Sequence, residues 1–213
     1  KQYVVESNTV TIKAGERVAK FRMKGIYENI DKTDSLSVTF NLLAKDENVW
    51  DLYGTRTRVQ MQKACPFELS TFEGYCLLTS SFFSAYMTNT EHRLLQAERD
   101  KAEDNTIILH DFFYKNYDLK IKYDPSDPLK PFVEFDDQII GSTAEAFGTI
   151  YGNGKLMCTQ PVAYDSYYNV CQKFVILYTT IYVVGKGTVG TYVNILEWIS
   201  DEEAEQYKKE EGL

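Results

Sequence analysis

Strict alternation of apolar and polar residues is the feature that most restricts this chain. Leu36, Val38, Phe40 and Leu42 alternate with Ser37, Thr39 and Asn41. A period of two places all four apolar side chains on one face of an extended strand. The same pattern recurs at Val10 and Ile12 between Thr9, Thr11 and Lys13, and at Ala19, Phe21 and Met23 between Lys20, Arg22 and Lys24. Val59 and Met61 repeat it among Arg58, Gln60 and Gln62, and Ala14-Gly15-Glu16 reads as a tight turn between strands. Helical spacing is scarce, so the chain is expected to be all-β.

Cys65-Pro66-Phe67 marks a boundary, because Pro66 has no ladder donor and biases Cys65 to an extended conformation. Residues 1–64 read as a β-sandwich unit. A complete sandwich takes about 100 residues and 7 strands, so this one is expected to lack its N-terminal strands. The start at Lys1, directly on a strand-like stretch, fits a trimmed or processed chain. Residues 65–213 read as an antiparallel meander that closes into a barrel. Its expected strands are 75–81, 106–109, 117–123, 132–135, 146–151, 155–159, 174–184 and 188–198, with 93–103 also leaning to strand. Gly152-Asn153-Gly154 supplies a hairpin turn and Asp124-Pro125-Ser126-Asp127-Pro128 another turn. Ser200-Asp201-Glu202-Glu203 fits a capping box that opens a short, solvated terminal helix, with Glu205 and Lys209 paired four apart.

Charge narrows the partners. The net charge is −8, which disfavours nucleic-acid backbones. Half of it lies in the tail, where Asp201, Glu202, Glu203, Glu205, Glu210 and Glu211 face only Lys208 and Lys209. No apolar run has the length of a membrane-spanning helix. The four cysteines, Cys65, Cys76, Cys158 and Cys171, form no C-x-x-C, and buried thiols are favoured over bridges in a chain long enough to form a core.

Most motifs that carry chemistry fail on context. Gly185-Lys186-Gly187-Thr188-Val189-Gly190 matches G-x-G-x-x-G, but a strand follows it where a dinucleotide site needs a helix, so it reads as a glycine-rich hairpin. His92 and His110 have no metal-ligand spacing, and no metal or other cofactor is expected. His110 beside Asp111 offers two members of a hydrolytic triad without a nucleophile elbow. Glu134 and Asp136 share one strand face, an arrangement that serves acid–base work on a glycosidic bond as well as a solvated surface; Asp137 faces the other way. Ala163-Tyr164-Asp165-Ser166-Tyr167-Tyr168-Asn169 sets Tyr164, Tyr167 and Tyr168 among small polar groups in one loop, the composition of a recognition surface. Trp50 and Tyr53 form a weaker aromatic pair at the inter-unit side, where a domain-interface role is favoured, and Phe112-Phe113-Tyr114 reads as core or loop packing.

Three stretches carry a family likeness: residues 6–16 (Glu6 to Glu16), 141–152 (Gly141 to Gly152) and 190–203 (Gly190 to Glu203), the last being the most specific. Through them nearly the whole chain resembles a family of uncharacterised Bacteroidetes secreted or lipid-anchored proteins. The resemblance implies a first unit like the second half of a Calx-beta or fibronectin-like sandwich. It implies a lipocalin-like (calycin-like) second unit of unknown function. It also implies export behind a lipoprotein signal to the cell envelope or outer-membrane surface, with membrane attachment only through an anchor outside this chain. It transfers no functional residue.

The leading expectation is therefore a non-enzymatic envelope protein that acts as a binding or adhesion module for a glycan or protein through Tyr164, Tyr167 and Tyr168. The alternatives are a lipocalin-like carrier of a small apolar ligand, since about eight strands enclose one such molecule, and a hydrolase that uses Glu134 and Asp136.

Overall fold

The computed structural model describes residues 1–32, 34–43, 54–87, 90–128 and 130–211. The chain divides into two compact units, residues 1–65 and 66–213.

The first unit contains two small antiparallel sheets. β1 (Tyr3–Val5) pairs with β2 (Met23–Gly25), and β3 (Ser35–Asn41) pairs with β4 (Arg56–Gln62). The Leu36 and Val59 alternations lie in β3 and β4, as the period-2 pattern requires. The Thr9–Lys13 stretch is not a strand, and only the end of the Ala19–Met23 stretch enters one. Val10 and Ile12 stay about half exposed, and Ile30 is the one buried apolar residue of this unit among the described residues. Alternation creates an apolar face, but the small facing layer covers it only in part: Phe21 meets Phe40 of β3 edge-on at 4.8 Å. The Ala14–Glu16 turn forms, with the Glu16 amide donating to the Lys13 carbonyl at 2.9 Å.

The second unit is a closed eight-stranded antiparallel barrel, so the all-β expectation holds. In chain order its elements are β5 (Gly74–Ser80), α1 (Ser81–Tyr86), β6 (His92–Arg99), β7 (Thr106–Leu109), β8 (Leu119–Asp124), β9 (Phe132–Glu134), β10 (Gln138–Ser142), α2 (Thr143–Phe147), β11 (Lys155–Thr159), β12 (Ser166–Asn169), β13 (Phe174–Val183), β14 (Gly187–Trp198) and α3 (Asp201–Glu211). Hydrogen bonding runs β13–β12–β9–β8–β7–β6–β5–β14 and returns from β14 to β13. The long β13 makes closure possible. One edge pairs along its whole length with β14, while the other is shared: β12 takes Phe174–Ile176 and β11 takes Thr180–Tyr182. β10 and β11 thus form a flap that continues the wall beyond the ring.

Inward positions follow the pleat. Cys76, Leu78, Ile107, Leu109, Leu119, Val175, Leu177, Ile181 and Leu196 are fully buried. Phe82 and Phe83 of α1 and the Phe112-Phe113 pair add fully or almost fully inaccessible rings, with Phe82 stacked on Phe113 at 4.7 Å. Zero accessibility means that neither outside solvent nor a water-sized void touches these side chains, so a packed core fills this part of the barrel. Among them sits a satisfied polar node. The Ser80 hydroxyl donates to Asn194 Oδ1 at 2.6 Å, and Asn194 Nδ2 donates to the Leu177 carbonyl at 2.9 Å and Thr179 Oγ1 at 3.0 Å.

Three local expectations change. Residues 146–151 are not a strand: α2 occupies Thr143–Phe147, opened by a capping box in which the Ser142 hydroxyl accepts from the Glu145 amide and the Glu145 carboxylate accepts from the Ser142 amide. Two of the four cysteines, Cys65 and Cys171, are disulfide-bonded, and only Cys76 and Cys158 are thiols. The terminal helix is docked rather than solvated. Ala204 is fully buried, the Tyr207 hydroxyl donates to the His92 carbonyl, and the Lys208 ammonium lies 4.3 Å from the Tyr75 ring centroid and 2.9 Å from its hydroxyl. Glu205 pairs with Lys208, three along, in place of Lys209. The Ser200–Glu203 box forms as expected.

Candidate functional site

The tyrosine-rich stretch is a strand, β12, and the pleat splits its residues between the two faces. Ser166 and Tyr168 point inward and Tyr167 outward. Ser166 is buried, with Oγ accepting the Tyr178 amide at 3.0 Å. Tyr168 is only 3% exposed and belongs to the core. It meets Tyr123 edge-on at 5.2 Å and Phe72 at 5.8 Å, and its hydroxyl donates to the Asp124 carbonyl. Burial, and after it the Asp124 charge, pushes its phenol pKa up. Tyr168 therefore shapes the wall from behind and is not available to a ligand outside.

Tyr164 and Tyr167 remain 53% and 42% exposed. Tyr164 stacks on Tyr178 at 5.1 Å with 21° between the rings, and Tyr167 meets Phe174 edge-on at 6.3 Å. Phe174, Ile176 and Tyr178 are the first three outward residues of β13. Register extends the patch sideways, because Tyr167 pairs with Phe132 of β9 on one side and Ile176 on the other, and Ile176 pairs with Ile195 of β14. The outer wall thus carries a continuous aromatic and aliphatic strip. Sequence reading missed Phe132, Phe174 and Tyr178; the signal available was their position on the alternate face of strands whose other face is aliphatic.

A second feature adjoins the strip. Where β9 ends and β10 begins, the wall parts and leaves a cleft of about 460 Å³. Glu103, Thr106, Lys120, Lys122, Glu134, Asp136, Gln138 and Gln160 line it, over a floor of Ile121 and Phe135. Two glutamines satisfy backbone that the parting strands leave without a partner. Gln138 Oε1 accepts from the Lys120 amide and its Nε2 donates to the Lys120 carbonyl, both at 2.8 Å. Gln160 Oε1 accepts from the Phe135 amide at 3.3 Å. A gap in a sheet normally exposes such groups at a cost, and here side-chain amides replace the missing ladder. The structure therefore brings Glu134 and Asp136 to one cleft, together with Glu103. Asp137 lies apart, its carboxylate accepting the Tyr182 hydroxyl at 2.7 Å.

The remaining motifs are structural. His110 does not pair with Asp111. Its Nδ1 meets Asp118 at 3.0 Å and its Nε2 meets Glu98 at 3.2 Å. Burial opposes the imidazole charge, but the bonds to Asp118 and Glu98 outweigh it and raise the pKa. His92 shares a 2.7 Å hydrogen bond with Thr79. The glycine-rich segment is the β13–β14 hairpin, with Gly185 and Gly187 at φ of 73° and 111°, where a side chain is disfavoured. Of the core and loop alternatives for Phe112 and Phe113, the structure has core: both are fully buried. Burial pushes the Cys76 and Cys158 thiols up, that of Cys158 to about 12, so neither is a nucleophile near neutrality. Among the described residues no group of three His, Cys, Asp or Glu side chains is placed to hold a metal ion. No helix among them is long and apolar enough to cross a membrane. Trp50 and Tyr53 lie outside the described residues.

A model of the family described as a domain of unknown function (DUF4984) matches residues 52–210, most of the chain. No curated protein and no solved structure matches it.

Proposed function

This chain belongs to the DUF4984 family, and on that premise we propose that it is a non-enzymatic binding module of the cell envelope whose ligand is a glycan held on the outer barrel wall. The observation that carries this reading is the exposed, stacked Tyr164–Tyr178 pair beside Tyr167 and Phe174. A rigid aromatic face offers its area to the apolar face of a sugar ring with little loss of side-chain entropy, and the phenol hydroxyls hydrogen-bond at the rim. A carrier of a small apolar ligand is the weaker reading, because inward residues from around the barrel are sealed against a water-sized void. A hydrolase using Glu134 and Asp136 is the other alternative, and their common cleft is what supports it.

Export is part of the same proposal. The disulfide-bonded Cys65 and Cys171 support it, since such bonds persist in oxidising compartments. The likeness to Bacteroidetes lipid-anchored proteins adds the outer-membrane surface as the location, a lipid anchor outside this chain as the attachment, and a Calx-beta-like or fibronectin-like origin for the first unit. Protease shaving of intact cells tests the location, because a protein that resists shaving until the cells are lysed is not surface-displayed.

The binding test is a glycan array followed by calorimetry on the strongest hit. Tyr164→Ala combined with Tyr167→Ala is expected to weaken binding by about tenfold, from two lost aromatic contacts of about 0.5–1.5 kcal/mol each. The melting temperature is expected to stay within about 2 °C, as for exposed positions generally. Undiminished binding removes the strip as the site. Release of shortened glycan during a long incubation, read by mass spectrometry, overturns the non-enzymatic assignment in favour of the hydrolase.

A further inference from the structure

We infer that the barrel end formed by the α2–β11 connection and the β13–β14 turn is a membrane-contact tip that seats on an anionic lipid bilayer. It is a second surface, and it stands whether or not the outer wall binds a glycan.

Exposed apolar side chains gather at this end. Ile150, Tyr151 and Val184 are 75%, 47% and 49% exposed. They come from two turns that touch. β11 and β13 are neighbouring strands with Met157 opposite Tyr182, and the same register carried two residues further sets Lys155 opposite Val184. Gly152 lets the turns meet. A Cβ there would stand 2.7 Å from the Val184 carbonyl oxygen and 3.3 Å from Lys186 Cγ, and its φ of 55° also favours glycine. Hydrogen bonds hold both backbones. The Tyr151 amide donates to Thr143 Oγ1 at 3.0 Å, the Gly154 amide to the Tyr151 carbonyl at 2.8 Å, and the Lys186 amide to the Val183 carbonyl at 3.0 Å. The Tyr151 ring meets Phe147 edge-on at 5.9 Å. Single exposed apolar residues are ordinary, but a cluster on adjoining turns marks a contact surface.

Charge selects the partner. The chain has 31 acids, yet residues 146–196 contain one, Asp165, against Lys155, Lys173 and Lys186. That segment supplies both turns. Lys173 lies within electrostatic reach of Glu203. Lys155 and Lys186 flank the apolar tip, and neither enters an ion pair among the described residues. The acids nearest in sequence are engaged: Glu145 accepts from the Ser142 amide and hydroxyl, and Asp137 from the Tyr182 hydroxyl. The tip is therefore a cationic rim around isoleucine, valine and tyrosine on an otherwise acidic molecule. On a bilayer the apolar groups enter the headgroup boundary, the tyrosine ring lies at it, and the ammonium groups reach the lipid phosphates. Each lysine contributes about fivefold to partition onto an anionic surface. Tyr178 and Val184 are six residues, about 20 Å, apart along β13, which leaves the tyrosine strip outside the contact.

The test is flotation of the full chain at low ionic strength with two vesicle preparations, phosphatidylcholine alone and phosphatidylcholine mixed equally with phosphatidylglycerol, at millimolar lipid. Partition onto the mixed vesicles is expected to be at least about tenfold stronger. Lys155→Gln combined with Lys186→Gln is expected to erase that preference. Ile150→Ser combined with Val184→Ser is expected to weaken binding to the mixed vesicles by at least about tenfold, with the melting temperature within about 2 °C, as for exposed positions. Equal partition onto the two preparations, or undiminished binding of either double variant, overturns the tip. Glycerophosphoglycerol that displaces the protein from vesicles at equal phosphate concentration identifies a binder of free phosphate esters and overturns the bilayer requirement. Vesicle binding lost in Tyr164→Ala with Tyr167→Ala assigns the lipid contact to the strip and overturns the tip. A dimer seen by analytical ultracentrifugation, absent in the Ile150 and Val184 variant and unaccompanied by flotation, makes a second copy the occupant and overturns the lipid partner. None of these outcomes bears on the glycan array, so the two readings fail separately.

Discussion

The two units use the same alternating code to different effect. In residues 66–213 every second residue of a ring strand faces the barrel interior, and the long β13 reads buried at each alternate position. In residues 1–65 the alternation of β3 and β4 produces half-buried side chains, and Val10, Ile12 and Val18 lie 48%, 58% and 69% exposed. The difference is one of closure. In the first unit the β3–β4 pair is covered only in part, chiefly where Phe21 meets Phe40, whereas eight strands that return on themselves supply the opposite wall from their own sequence. Pattern alone therefore marks which residues share a face, and the number of layers determines how much that face contributes.

Substitution separates the two cases most sharply at their apolar positions. Phe72, fully buried and packed against Tyr123 at 4.6 Å and Trp198 at 5.1 Å, is expected to lose about 3–5 kcal/mol on Phe72→Ala in urea unfolding of the full chain. Ile12→Ala, on the same scale, is expected to change stability by no more than about 0.5 kcal/mol. Similar losses at the two positions break the comparison.

The polar node of the barrel gives a smaller effect. Asn194→Leu leaves Ser80 and Thr179 without their partner in a sealed interior, and the expected loss is about 1–3 kcal/mol in the same unfolding experiment. A neutral outcome assigns the barrel's stability to apolar packing alone.

The smallest expected effect is at His110, which is about one-third exposed and therefore partly screened, with less than about 1 kcal/mol at stake. Its folded pKa is raised, so its contribution is complete below the unfolded value of about 6.5 and disappears as pH rises through the folded value. Imidazole chemical shifts followed by NMR are expected to show a midpoint above 6.5, and His110→Gln to flatten the pH dependence of the urea midpoint over that window. A midpoint at or below 6.5 removes the Asp118 and Glu98 pairing as the cause.

Several elements were legible from local chemistry. β7 and β11 fall on the expected residues, the glycine-rich segment is the β13–β14 hairpin, and the Ser200–Glu203 box opens α3. α2 had a similar signal, since Ser142-Thr143-Ala144-Glu145 spells a capping box, but the apolar residues around Ala146 and Phe147 suggested a strand. The flap strand β10 and the ring strand β12 were not legible. β12 is four residues of tyrosine, serine and asparagine, a composition shared with loops, and it becomes a strand because β9 and β13 offer edges on both sides. The candidate site divides in the same way. Tyr164 and Tyr167 were visible as a tyrosine cluster, while Tyr168, one residue on, turns into the core, because a single step along a pleated strand changes the face.

The sequence by itself determined the β class, the alternation of faces, the turns and the helix cap, since these depend on residues within a few positions of each other. Tertiary structure decided what requires distant strands to meet. It closed the ring through β13 and β14, buried Tyr168, set Tyr178 beneath Tyr164, and opened a cleft that brings Glu103 from one segment to Glu134 and Asp136 of another. The physical reason is that burial and charge balance at a site are properties of non-local pairing, and periodicity carries no record of which strand lies opposite.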